Sequence, residues 1–201
     1  MSSEYDPLFG AGGEGEDPAD AEALETVRRH FARASRPFLS SPVVWLAWAL
    51  VLPAAALATA PVGGHFGPAG ILFLWSCAIL AGGAVEMLAI RRRRGSGRRS
   101  PLATWALRVQ GNLSFVGLVL SAVLLWADRT GELPGLWLLL LGHSFYTLGG
   151  LSFRPMRTAG ALFQAAGLVA LWPGVPSLPV FAAGAAAGCL WLAWGIHRAR
   201  R

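Results

Sequence analysis

Long apolar runs, separated by short stretches of Gly, Pro or charge, organise this chain. Six runs stand out: Val43–Ala60, Ala69–Ile90, Leu102–Trp126, Leu136–Phe153, Thr158–Trp172 and Val180–Ile196. A helix that crosses a hydrocarbon core needs roughly 20 apolar residues. The runs are continuously apolar rather than alternating, so they predict helices and not barrel strands. The pattern therefore predicts an all-α integral membrane fold, a six-transmembrane-helix bundle over residues 43–197, pairing as three helical hairpins. The fifth run is the shortest, about 22 Å as a helix against a core of about 30 Å. Reading it as a re-entrant loop would place the terminal "HRARR" away from the other arginines, so six crossings is the better reading.

Residues 1–16 are Gly-rich and acidic ("SSEYDPLFGAGGEGED"), which predicts a disordered acidic tail. Over 17–36 the pattern turns helical. Asp17 can cap, Pro18 suits the first helical position, and acidic residues precede basic ones along the helix dipole. Leu24, Val27, Phe31 and Ala34 recur at three- and four-residue spacing and make one apolar face, as a short amphipathic cytoplasmic helix on a membrane surface would. The first 42 residues hold no hydrophobic run, so no cleavable secretory signal is expected. Residues 198–201 form a basic C-terminal tail.

Internal similarity points to two-helix units. "GPAGILFLWSCAILAGGAVEMLAIR" and "ELPGLWLLLLGHSFYTLGGLSFR" both carry a Gly-Gly pair before a basic end. Runs three and five share an early Gln, a Gly-Leu-Val step and a Trp near the far end.

Charge sets the orientation. Only 14% of the chain is charged, against about 25% in an average soluble domain. All 17 basic residues are Arg, which with the Ala, Gly and Pro richness suits a GC-rich bacterial genome. Arg28, Arg29, Arg33 and Arg36 precede the first run. Arg91 to Arg94, Arg98 and Arg99 join runs two and three, Arg154 and Arg157 join four and five, and Arg198, Arg200 and Arg201 close the chain. With six crossings these all fall on one side, and the other side keeps only Arg129, beside Asp128 and Glu132. The positive-inside rule then puts both termini in the cytoplasm and the protein in the cytoplasmic (inner) membrane. The net charge of +6 and "RRRRGSGRR" taken alone would suit nucleic acid. Between two spans, such a run is a topology determinant facing anionic headgroups, so no nucleic-acid partner is expected.

Polar residues inside the runs carry the candidate chemistry. Glu86 and Arg108 are the only charges within predicted spans and lie at similar depth from the basic side, so an ion pair between them is expected. The competing reading is that Arg108 snorkels alone to the headgroups. Asn112, one turn beyond Arg108, together with His143 and Gln164, falls in the same layer. These five form a candidate intramembrane polar cluster. Gln110, Ser114, Gly117 and Ser121 fall on another face of the third run and read as a packing seam, as does Gly184-xxx-Gly188 in the sixth. Cys77 and Cys189 lie within separate runs and suggest neither a disulfide framework nor a metal site.

No catalytic signature is present: no His-x-x-x-His pair, Gly-x-Ser-x-Gly elbow, P-loop or acidic metal cluster. Neither catalysis nor a cofactor is expected. The sequence favours a small, non-enzymatic multi-pass membrane protein acting as an accessory, sensory or assembly subunit. Its partners would be the bilayer and another membrane protein or further copies of itself. The alternative is a small-molecule or proton transporter that uses the polar cluster, with His143 as relay.

Overall fold

The computed structural model describes residues 22, 26, 41–93, 101–152 and 154–199. Among them the chain is all-helical, with five helices: α1 Pro42–Arg93, α2 Pro101–Trp126, α3 Leu133–Ser152, α4 Arg154–Ala170 and α5 Ser177–Arg198. A 3₁₀ turn, Thr130–Glu132, leads into α3. The predicted acidic tail lies outside the described residues, as do the amphipathic helix apart from Glu22 and Thr26, and the last two arginines of the basic tail.

The six-span expectation is corrected in number. Three helical stretches among the described residues are long and apolar enough to cross a membrane: Pro42–Ala89, Arg108–Trp126 and Ser177–Arg198. Two causes account for the difference. The first two predicted runs lie within the single 52-residue α1. In α3 the residues His143, Ser144, Tyr146 and Thr147 dilute the apolar content, and α4 has only 17 residues.

α1 is not straight. Gly67 interrupts it at φ 64°, ψ −162°, a setting that L side chains rarely adopt, and Pro68 opens the second arm with a fixed φ. The two arms, 42–66 and 68–93, fold back on each other. The ring of Trp48 occupies the space where Gly82 lacks a side chain. Nearer the turn, the Trp75 indole donates to Thr59 Oγ1 at 3.1 Å, while that hydroxyl donates to Ala55 O at 2.8 Å.

α2 and α3 repeat this hairpin. The Trp137 indole donates to Ser121 Oγ at 3.1 Å, and that hydroxyl donates to Gly117 O at 2.7 Å. Further along, the Ser144 hydroxyl donates to Gln110 Oε1. The same 62-residue offset relates Thr59 to Ser121, Trp75 to Trp137, Trp48 to Gln110 and Gly82 to Ser144. Two hairpins thus share one packing register, closed by the same indole-to-hydroxyl clasp. This is not the register suggested by the Gly-Gly pairs. Gly82 sits beneath Trp48, whereas a side chain on Gly149 would run into the backbone of Met156 and Arg157.

The closest contact is between α3 and α4. Gly135, Gly142 and Gly149 recur every seven residues on α3, and Gly160 and Gly167 do so on α4. A Cβ on Gly142 would lie 2.7 Å from Gln164 N, and one on Gly167 would lie 3.0 Å from Gly135 O. Only hydrogen side chains let the two backbones approach this far. A seven-residue repeat keeps that seam on one face of each helix along the antiparallel pair. α5 completes the core: Gly184 meets Ala166, and Gly188 meets the ring of Phe163. Phe163, Leu138, Leu192 and Cys189 are fully buried. Aromatic edges tie α1 to this core, with Trp45 on Phe145 at 5.4 Å and Trp75 on Phe181 at 5.6 Å.

Candidate functional site

The five residues of the expected polar cluster occupy four helices. Glu86 lies on the second arm of α1, one turn beyond Gly82, and is half-buried. Arg108 and Asn112 are on α2 and His143 is on α3; all three are exposed. Gln164 on α4 is half-buried, its Cγ 2.7 Å from where a Cβ on Gly142 would be. Among the described residues, no hydrogen bond or ion pair joins any two of the five. The expected Glu86–Arg108 pair is not made within the chain. Among the described residues, an ion pair joins Arg129 to Glu132 beyond the opposite end of α2.

Helix geometry explains the separation. α2 rests on α3 through Gln110, Gly117 and Ser121. Residues two places from Gln110 are turned about 200° around the helix, so Arg108 and Asn112 point away from that seam. The seam itself was legible in the sequence as a row of polar and small residues. Its partner Ser144 was not, because a lone serine among leucines has no periodic signal.

Two basic residues are held by aromatic rings at one end of the bundle. Arg157 lies 4.9 Å from the Tyr146 ring centre, and its Nη2 donates to the Tyr146 hydroxyl at 2.9 Å. Arg198 lies 4.7 Å from the Trp194 ring, which in turn packs on Trp191. These arrangements fix guanidinium groups against amphipathic rings, as suits a boundary between apolar and aqueous surroundings. An apolar recess lined by Leu168, Val169, Trp172 and Val175 opens at the α4–α5 turn, away from the five polar residues. Among the described residues, no three His, Cys, Asp or Glu side chains gather as metal ligands.

The chemistry offered is therefore not that of a converging pocket. Arg108, Asn112 and His143 lie on exposed helix surfaces, whereas Glu86 and Gln164 are half-buried on separate helices. No protein-family model matches the chain, and neither a curated protein nor a solved structure resembles it.

Proposed function

We propose that this protein is a small, non-enzymatic subunit of the cytoplasmic membrane, crossing it six times with both termini in the cytoplasm and working by assembly with other membrane helices. The observation that carries this reading is the outward placement of Arg108 and Asn112. An arginine facing hydrocarbon near a helix centre costs roughly 2.5–3.5 kcal/mol, so a face that presents one beside an asparagine is suited to contact with protein.

Six crossings are supported by the break at Gly67. It divides α1 into two antiparallel arms of about 25 residues, each about 38 Å long at 1.5 Å per residue. The wide exposure of Leu72, Phe73, Leu80 and Leu118 suits an apolar surrounding. In that arrangement Arg91, Arg92, Arg154, Arg157 and Arg198 share one face, as the positive-inside rule asks of the cytoplasmic side.

Two experiments test the proposal. Single cysteines at positions 65, 96, 131 and 176, in a chain with Cys77 and Cys189 replaced, report topology. Labelling of 96 from the cytoplasm and of 65, 131 and 176 from outside is expected; outside labelling of 96 defeats it. Affinity capture of the tagged full chain in mild detergent should recover a distinct membrane protein in stoichiometric amount. Loss of a substrate gradient on deleting the gene, with no protein captured, would favour a transporter instead.

A further inference from the structure

The shared register of the two hairpins gives residues 104–126 of α2 counterparts on the first arm of α1. Arg108 corresponds to Leu46, Asn112 to Leu50 and Val119 to Leu57, by the 62-residue offset that matches the two clasps. At these three positions the first hairpin carries leucine, and all three leucines are exposed, Leu50 to 73%. In the second hairpin the same outward row opens with a guanidinium and a carboxamide. It continues through Phe115, Val119, Ala122 and Trp126 at alternating four- and three-residue steps, all of them exposed. That spacing is the seam of one helix packing along another. Leucine at the sister positions shows what the fold itself requires there, which is only an apolar side chain.

We infer that this face of α2 is occupied by α1 of a second copy, with Arg108 of each copy paired to Glu86 of the other. The inference rests on the membrane-assembly reading and names one occupant. Charge complementarity selects it. Glu86 is the only carboxylate between Ser41 and Trp126, and it has no ion pair within its own chain among the described residues. The two groups also lie at one level. Glu86 is seven residues from Arg93, where α1 ends, and Arg108 is seven residues from Pro101, where α2 begins. Each is thus about 10 Å along its helix from the basic linker. A twofold axis along the membrane normal keeps equal levels equal and forms the pair twice. Within one chain the two are not paired, and the seam of α2, through Gln110–Ser144 and Ser121–Trp137, is taken up by α3.

The test uses the full chain in nanodiscs or mild detergent. Native mass spectrometry of the wild type should give twice the 21.2 kDa chain mass. Glu86→Arg alone and Arg108→Glu alone should each weaken self-association by ~10-fold or more, since each sets like charges opposite one another twice. When the two variants are co-expressed with different tags, every pair is again opposite in sign, and each should capture the other. A monomeric wild type overturns the inference, as does self-association undiminished in both single variants. Rescue by the double variant in one chain, without rescue between chains, also overturns it and places the pair within the monomer. Should a charge reversal fail to insert, Glu86→Gln and Arg108→Gln keep side-chain size, and the wild-type mass decides by itself. Because the purified chain alone is measured, failure here is distinct from failure to capture a different protein.

Discussion

At Gly160 a single methyl group is enough to separate two helices. A Cβ there would enter the backbone of Tyr146, which cannot yield as a side chain can, so α3 and α4 would have to move apart. Gly111 on α2 has nothing within 4 Å of the same position. Gly160→Ala should therefore lower stability by about 2–3 kcal/mol, whereas Gly111→Ala should be neutral or slightly stabilising. Thermal unfolding of both in one detergent compares them, and equal shifts would refute the account of the seam. The clasps are smaller effects. Trp137→Phe removes one hydrogen bond and should cost about 0.6 kcal/mol, near the average for interhelical bonds in membranes. Trp75→Phe should cost a similar amount, and the two should add, because they close separate hairpins.

Gly67 governs an entire element. Nothing lies within 4 Å of its absent side chain, so the penalty of a substitution there is purely conformational. Gly67→Ala should destabilise by about 1–2 kcal/mol. Gly64→Ala, equally uncrowded but within regular helix, should not. Circular dichroism melts of this pair isolate the turn from its surroundings. The turn also shows where reading the chain succeeded and where it stopped. Apolar runs located every helix, because continuous hydrophobicity is a local property. The gap between runs one and two, residues 61–68, holds the break at Gly67, but the regular helix that continues on either side of that one residue is not a property of run composition. Arg108 and Asn112 were found by their contrast with leucine, which is also local. What faced them was not legible, since rotation about a helix axis is fixed by tertiary partners such as Ser144, far away in sequence. The seven-residue glycine spacing on α3 and α4 was available to inspection, but glycine is so common here that it did not stand out.

Across the whole molecule, packing is uneven. The spanning stretch of α2 is 6% buried, whereas that of α5 is 56% buried. Stability should follow that gradient, since elements with few buried contacts open first. Hydrogen exchange on the dilute, monomeric protein in detergent should release α2 amides well before those of α4 and α5. Uniform exchange would mean that the bundle opens as one cooperative unit. The peripheral helix is thus also the one that bears the outward polar row, and a contact to a neighbour would reinforce the least supported part of the structure.

The fold-back at Gly67 has a consequence for biosynthesis. Between Ala60 and Ala69 the tip of this hairpin contains no Asp, Glu, Lys or Arg. In the six-crossing arrangement that tip is what must be carried across the bilayer first. Two apolar arms joined by so neutral a bend are suited to partition into lipid together, each satisfying its backbone internally and shielding its neighbour. In the same arrangement the arginines that follow at 91–94 would arrest further transfer. On the six-crossing proposal, this stretch would insert as a single event, before the second hairpin is set beside it.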